Sequence, residues 1–358
     1  MVRPPGTVSN VKAPTKLLGT LGGLALVGAA GVLTTRAVGE RVRRSSDPAL
    51  DDELARPTDV THLELPTHDG GSLHVVEVPG EGRPVVLLHG VTLQWWVWSA
   101  VIRRLRGAHR VVAWDMRGHG RSRAGTDGVS LEAAATDLVT LLERLDLRDA
   151  VVVGHSMGGM VLGRFSVQHR DVMAERVAGR VFLATSAASL SIKGLSGGLV
   201  ALAGAMASLS RAGLRNPRLV YGWKDTDLSL ALIRPVFGRH ATARMVEDVR
   251  EMLSEVPAGT LAEAGASIAS HDVSEELGAV EGPAMVVVGE EDRLTPPSHA
   301  SALAGLLEGA ELLRLPTVGH QVMQEAPDLL AAAIERFDAD LAHGTVRVGD
   351  ALAAEAGA

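Results

Sequence analysis

From about residue 60 onward, short apolar runs alternate with stretches of mixed polar and apolar residues. Two runs at 61–65 and 73–78 flank the turn-forming sequence Asp69-Gly70-Gly71 and predict a pair of strands. Six further runs predict more strands, at 85–88, 111–114, 150–153, 181–184, 285–288 and 311–315. The first four of these six are continuously apolar, which is typical of strands covered on both faces of a sheet.

The stretches between these runs carry helical patterns. The clearest lies at 131–145, and Ser130 stands at the position of its N-cap. From about 188 to 278 the short apolar runs typical of strands stop, and helical patterns follow instead. Alternating strands and helices with a helical insertion predict an α/β fold, in which a mostly parallel sheet carries a lid. We expect a core of 60–187 and 279–343, a lid of 188–278 and a poorly ordered Ala-rich tail of 344–358.

The N-terminal segment 1–44 is basic at both ends and apolar in the middle. Residues 17–33 carry no charge and would reach about 25 Å as a helix, the short end of the range for crossing a bilayer. Three interpretations are open: a membrane anchor, a signal peptide with a weak cleavage site, and a surface helix laid against the domain. We expect membrane association, with a slight lean towards a cytoplasmic main domain; the alternatives are a soluble cytoplasmic or a secreted protein. Residues 45–59 have the composition of a polar linker.

The composition supports one large folded domain and excludes several classes of protein. Of the 358 residues, 46% are hydrophobic and 22% are charged, which suffices for a sizeable core. The formal net charge of -7 argues against nucleic acid as a partner, because phosphate binding needs a positive field. Since the chain has no cysteine, disulfides, thiolate metal sites and a cysteine nucleophile are excluded.

The sharpest chemical signal is a serine between two glycines. Gly154 and Gly158 flank Ser156, directly after the apolar run 150–153 and before a helical stretch. Such glycines are needed where a strand turns so tightly into a helix that the serine is strained and its hydroxyl is exposed. In this context we interpret Ser156 as a nucleophile; the alternative is a purely structural turn.

A serine hydroxyl is a poor nucleophile at neutral pH and needs a general base, normally a histidine that is oriented by a carboxylate. The loops after the last two predicted strands carry both groups. Asp292 follows the run at 285–288, and His320 follows the run at 311–315. Both lie at strand ends, where a site on a parallel sheet forms.

Together these motifs resemble those of the α/β-hydrolase superfamily, in particular its lidded serine esterase and lipase-like members. The resemblance spans about residues 60–343 and rests on three motifs besides the serine turn. They are the oxyanion-loop sequence His89-Gly90-Val91-Thr92, the loop Asp115-Met116-Arg117-Gly118-His119-Gly120-Arg121-Ser122 and the acid loop Gly289-Glu290-Glu291-Asp292. The family's fold implies an eight-stranded, mostly parallel sheet with helices on both faces and a helical lid insertion.

The resemblance also implies a role for each candidate residue. Ser156 would attack the substrate carbonyl, His320 would accept and return the proton, and Asp292 would orient the imidazole. The backbone N–H groups of Val91 and Met157 would form the oxyanion hole. The family's chemistry needs no metal and no cofactor.

Three histidines and two glutamates are rivals for these roles. The family pattern makes the histidines loop-packing residues, and acids beside the family's acid position are more often solvated. Some relatives place the acid after the sixth strand instead, where this chain offers no carboxylate. The residues concerned are His89, His119 and His155, Glu290 and Glu291, and, after the sixth strand, Thr185, Ser186 and Ala187.

A serine at the turn implies acyl chemistry, whereas similar dehalogenases and epoxide hydrolases carry an aspartate there. We therefore expect a serine hydrolase that cleaves carboxylic esters of apolar substrates through an acyl-enzyme on Ser156. Two alternatives would use the same three residues: carbon–carbon bond hydrolysis and a cofactor-free, perhydrolase-like activity. A third alternative is a non-catalytic small-molecule receptor or interaction module.

Three tryptophans follow the oxyanion loop in the sequence. Trp95, Trp96 and Trp98 are three of the five in the chain. Their rings could bind substrate as the wall of a pocket, or they could pack the following helix beneath the lid. The lid itself holds an uncharged stretch, 194–210, which could bury one face against the domain or present an apolar surface to substrate or lipid.

Overall fold

The computed structural model describes residues 34–188 and 226–344, which form one eight-stranded sheet with its surrounding helices. The strands are β1 (Thr61–Pro66), β2 (Ser72–Val78), β3 (Gly80–Leu88), β4 (Gly107–Trp114), β5 (Ala150–His155), β6 (Val177–Leu183), β7 (Ala284–Gly289) and β8 (Glu311–Leu315). Their order across the sheet is β1-β2-β4-β3-β5-β6-β7-β8. Strand β2 runs antiparallel to β1 and β4, and the other pairings are parallel. The predicted fold class is confirmed.

Helices fill the connections between the strands. They are α1 (34–43), α2 (Pro48–Glu53), α3 (Ser99–Leu105), α4 (Leu131–Arg144), α5 (Met157–Gln168), α6 (Arg170–Arg176), α7 (Asp227–Ile233), α8 (Ala243–Glu255), α9 (Ala258–Ala269), α10 (Ser274–Leu277), α11 (Pro297–Leu306), α12 (Val322–Glu325) and α13 (Pro327–His343). Helix α4 begins at its predicted cap, because the Ser130 side chain accepts a hydrogen bond from the Ala133 N–H. Two 3₁₀ turns, Trp95–Trp98 and Arg234–Val236, complete the helical structure described.

Apolar clusters cover both faces of the sheet. Along β5, Val151 and Val153 belong to one cluster and Val152 to the other, and all three are fully buried. Helices α3, α7, α8 and α13 contribute to the first cluster, and α4, α5 and α11 to the second. Alternate side chains of one strand thus meet helices on opposite sides, which explains the continuously apolar runs.

The inserted segment, defined here as residues 226–278, is largely helical and packs on the core. The Gln94 side-chain amide donates to Glu255 of α8, and the Val129 N–H donates to Glu263 of α9. The first contact lies beside the tryptophan turn and the second at the start of α4. The inserted segment is therefore attached at the carboxyl-terminal edge of the sheet.

The N-terminal residues 34–59 lie against the inserted segment. The Ser45 hydroxyl donates to the Ala241 carbonyl at 2.8 Å, and the Ser45 carbonyl accepts the Ala243 N–H at 2.7 Å. The Thr242 hydroxyl donates to Asp51 at 2.7 Å. The stretch predicted to be a linker thus contains α2 and makes specific contacts.

Three expectations fall outside the described residues: the anchor, signal-peptide or surface-helix segment at 17–33, the uncharged stretch 194–210, and the tail beyond 344. Within 34–188 and 226–344, none of the helices combines the length and the apolar character needed to cross a membrane.

Candidate active site

Ser156 lies at the junction of β5 and α5 in a backbone conformation that is rare for a non-glycine residue. Its φ and ψ angles are 53° and -116°, a strained combination. The flanking glycines permit this turn. A Cβ on Gly154 would lie 2.5 Å from the Gly158 carbonyl oxygen, and a Cβ on Gly158 would lie 2.5 Å from the Leu88 carbonyl oxygen. The strand, turn and helix predicted around the serine are present.

The Ser156 side chain is half-buried and does not cap α5. Its backbone N–H donates to the Leu183 carbonyl at 3.0 Å, which fixes the turn to β6. Its hydroxyl has no hydrogen-bond partner among the described residues. Hydrogen bonds between a nucleophile and its base are often long without substrate and tighten only when substrate binds.

Asp292 and His320 form a buried hydrogen-bonded pair. The distance from His320 Nδ1 to Asp292 Oδ2 is 2.8 Å. A carboxylate can only accept, so Nδ1 carries a proton, and in the neutral ring the lone pair is on Nε2. Asp292 also accepts the N–H groups of Leu294 and Thr295 and the Thr295 hydroxyl. The histidine is therefore held in the tautomer that a general base at Nε2 requires.

His155 links His320 to the serine turn. Its Nε2 donates to the His320 carbonyl oxygen at 2.9 Å, and the two ring centroids are 4.8 Å apart. Burial holds the pKa of His155 well below its ordinary value, so the ring stays neutral. Because His155 directly precedes Ser156, this contact joins the end of β5 to the loop that follows β8.

The two predicted oxyanion donors also lie at this turn. Met157 is the first residue of α5, where the helix supplies no acceptor for the backbone N–H. Val91 follows Gly90, on which an added Cβ would come within 3.1 Å of Ser156 Cβ. Neither the Val91 N–H nor the Met157 N–H is hydrogen-bonded to a residue within the described ranges. Both remain available to a ligand.

The other histidines near the turn hold loops in place. His89 Nδ1 donates to the Gly90 carbonyl at 2.7 Å, and His89 Nε2 accepts the Met116 N–H at 2.9 Å. Burial lowers the pKa of His89 and lowers that of His119 to about 3. Both rings are therefore neutral packing groups at physiological pH.

The two glutamates considered as alternatives to Asp292 have other surroundings. Glu290 is exposed, and Glu291 pairs with Arg239 of the inserted segment. At the end of β6, the Thr185 hydroxyl donates to the Ser156 carbonyl at 2.7 Å. Asp292 is the carboxylate that is hydrogen-bonded to His320. In the part of the chain that the structure describes, no three His, Asp or Glu side chains are grouped so as to hold a metal ion.

The three clustered tryptophans have different surroundings. Trp96 donates to Gln94 at 3.0 Å and lies beneath the Arg56 guanidinium, 4.1 Å from the ring centroid. The Trp95 ring packs edge-on against His62, and the Trp98 ring packs edge-on against His155 at 6.4 Å. All three are buried. Trp98 contacts the residue next to Ser156, whereas the contacts of Trp95 and Trp96 attach the turn to its surroundings.

Sequence reasoning missed two residues that contact the Asp292 and His320 loops. Thr295 donates its hydroxyl to Asp292. Glu325 accepts backbone N–H groups on both sides of His320. Neither belongs to the motifs used above, and their nearness in sequence to Asp292 and His320 is the signal that could have found them.

Comparison with known proteins identifies the family. A family model described as the alpha/beta hydrolase fold matches residues 83–327. The chain belongs to the α/β-hydrolase family. The resemblance inferred from the motifs is confirmed, and the protein is a hydrolytic enzyme.

The relatives of this α/β-hydrolase are named for different activities. The dihydrolipoyllysine-residue acetyltransferase component of an acetoin cleaving system from Pseudomonas putida is 32% identical over 260 residues, 72% of this chain and 64% of that protein. This chain thus spans slightly less than two thirds of that relative. The non-heme chloroperoxidase of Burkholderia pyrrocinia is 28% identical over 273 residues, 72% of this chain and 92% of the relative. A solved thermophilic esterase from Thermogutta terrifontis has a TM-score of 0.66 and 25% identity, covering 78% of this chain and 99% of that one.

Proposed function

We propose that this α/β-hydrolase cleaves carboxylic esters of apolar substrates through an acyl-enzyme on Ser156. The observation that carries the proposal is the hydrogen bond between Asp292 and His320. His155, which precedes Ser156, in turn holds His320 against the serine turn. The similarity to an esterase at 25% identity supports an ester as the substrate. The apolar character of the substrate is proposed from the sequence, in which three tryptophans follow the oxyanion loop.

In the proposed mechanism, Ser156 Oγ attacks the carbonyl carbon while its proton passes to His320 Nε2. Asp292 stabilises the imidazolium cation, and the N–H groups of Val91 and Met157 donate to the oxyanion. Collapse of the tetrahedral intermediate breaks the ester bond, and His320 gives its proton to the departing alcohol. Water then loses a proton to His320 and attacks the acyl-enzyme. Collapse of the second tetrahedral intermediate releases the acid, and His320 returns the proton to Ser156 Oγ.

A second candidate is perhydrolysis, in which hydrogen peroxide replaces water in the attack on the acyl-enzyme and a peracid is released. The 28% identity to a non-heme chloroperoxidase favours it. It uses the same Ser156, Asp292 and His320. Carbon–carbon bond hydrolysis by these residues is the remaining enzymatic alternative.

The test is a substrate panel on wild type and Ser156→Ala. We expect hydrolysis of p-nitrophenyl esters that depends on Ser156 and rises from acetate to longer acyl chains. Parallel reactions with hydrogen peroxide and with a β-diketone measure the alternatives. The ester proposal fails if no ester is turned over in a Ser156-dependent manner, or if the diketone or peroxide reaction is faster.

Membrane association through residues 17–33 is a proposal from the sequence alone. An enzyme held at a bilayer would meet water-insoluble esters at high local concentration. Sedimentation of the full chain with liposomes, compared with a chain that lacks residues 1–33, tests it. We expect co-sedimentation of the full chain alone; equal partitioning of both would refute membrane association.

A further inference from the structure

Glu325 contacts three backbone N–H groups around His320. Its carboxylate accepts the Gly238 N–H at 2.7 Å, the Gly319 N–H at 3.1 Å and the Gln321 N–H at 3.3 Å. Gly319 and Gln321 flank the histidine, and Gly238 belongs to the inserted segment. One side chain thus holds the backbone before and after His320 and joins it to a distant part of the chain.

The same two segments meet directly at the backbone. The His320 N–H donates to the Val236 carbonyl at 2.8 Å. A Cβ added to Gly319 would lie 2.3 Å from the Gly238 nitrogen, and one added to Gly238 would lie 2.1 Å from the Thr317 carbonyl oxygen. This approach leaves no room for side chains between the segments, so their spacing depends on the hydrogen bonds that join them.

A carboxylate suits this position better than any neutral group of the same shape. Hydrogen bonds from N–H groups to an ionised carboxylate are about twice as strong as neutral ones. An amide in its place would turn an NH₂ group towards at least one of the three donors. Burial raises the pKa of Glu325 to about 7, against the lowering effect of the three N–H groups and of the Arg234 charge. The carboxylate form therefore predominates at pH 8.5.

We propose that Glu325 is a positioning residue for His320, which fixes the histidine backbone from both sides and makes its placement depend on the seating of the inserted segment at Gly238. The inference rests on the proposed function, in which His320 is the general base. Glu325 touches no reacting atom. Its loss would displace the imidazole relative to Ser156 rather than remove a catalytic group.

The test compares Glu325→Gln with Glu335→Gln at pH 8.5 in the full chain. Glu335 is exposed on α13, so its substitution makes the same charge change without touching the site. With p-nitrophenyl butyrate, we expect Glu325→Gln to lower kcat by about 10- to 100-fold, because a misplacement of about 1 Å costs about 10²-fold. KM should change little, and Glu335→Gln should match wild type. An unchanged kcat, or a loss confined to KM, would overturn the proposal.

Amide hydrogen exchange supplies a readout that needs no activity. In wild type at pH 8.5, the amides of Gly238, Gly319 and Gln321 should be protected, and Glu325→Gln should speed their exchange by at least about tenfold. Fast exchange at these amides in wild type would overturn the proposal even if the variant failed to fold. If wild type shows no Ser156-dependent turnover, the proposed function fails, and the exchange result alone decides whether Glu325 holds the loop.

Discussion

Ser156 and His155 are neighbours in sequence but have very different surroundings. The serine hydroxyl is half-buried, while the His155 ring is fully buried, neutral and bonded to the His320 carbonyl. The strained backbone of Ser156 is maintained by its N–H bond to Leu183 and by the bond from Thr185 to its carbonyl. A partly exposed hydroxyl beside a buried, neutral histidine is the arrangement that the proposed acyl transfer in a water-poor site requires.

The first prediction concerns Asp292→Asn. The amide would no longer hold the Nδ1–H tautomer of His320, so kcat for ester hydrolysis should fall about 10³- to 10⁴-fold. Initial rates on a soluble ester measure this. Glu290→Gln, an exposed acid in the same loop, is the matched control and should keep wild-type kcat. A similar loss in both variants would show that the loop charge, and not the hydrogen bond to His320, matters.

Among individual residues, the sequence predicts those that stand in strong local motifs. Ser156, Asp292 and His320 follow predicted strands, and their loops meet because parallel strands end at one edge of the sheet. Glu325 could not be assigned in this way. Its role depends on Gly238, which is 87 positions away in the chain and reaches it only through the packing of the inserted segment.

The strands themselves were predictable where their side chains are buried. All eight predicted runs lie in observed strands, apart from Ala184, which directly follows β6. Strands β3 and β4 begin earlier than their apolar runs, at Gly80 and Gly107, because the polar starts of the two strands pair with each other outside the core. An apolar pattern reports burial, so it cannot show the ends of strands that lie at the surface.

The second prediction concerns the packing of α5 on the residues that follow β6. A Cβ on Gly159 would lie 2.5 Å from Thr185 Cγ2, whereas one on Gly265 of α9 meets no atom within 4 Å. Gly159→Ala should lower the free energy of unfolding by about 1–3 kcal/mol, since Thr185 is forced away from the serine turn. Gly265→Ala should raise it by about 0.5–1 kcal/mol, because alanine favours a helix interior. Denaturant unfolding measures both, and equal effects of the same sign would contradict this account of the interface.

The whole molecule contains a connection that composition did not predict. The stretch 45–59 is rich in Asp, Glu and Pro and has the character of a linker. In the structure, residues 34–59 instead contact α7 and α8 of the inserted segment, including an ion pair between Arg43 and Asp227. Composition predicts exposure well, but it cannot show which distant surface an exposed segment meets.

The third prediction tests this connection. Asp51 accepts the hydroxyl of Thr242, which in turn caps α8 by accepting the Met245 N–H. Asp51→Ala should loosen this region, so trypsin should cleave after Arg239 or Arg244 several-fold faster than in wild type. Asp52→Ala removes an exposed acid from the same short helix α2 and is the control. Identical cleavage rates in the two variants would show that Asp51 does not restrain the inserted segment.

The proposed activation of Ser156 as a nucleophile has a direct test that needs no knowledge of the natural substrate. The full chain is treated with a fluorophosphonate, and the adduct is located by peptide mass spectrometry. We predict one adduct on Ser156, none on Ser156→Ala and slow labelling of Asp292→Asn. Labelling at another residue, or the absence of an adduct from folded wild-type protein, would show that Ser156 is not an activated nucleophile.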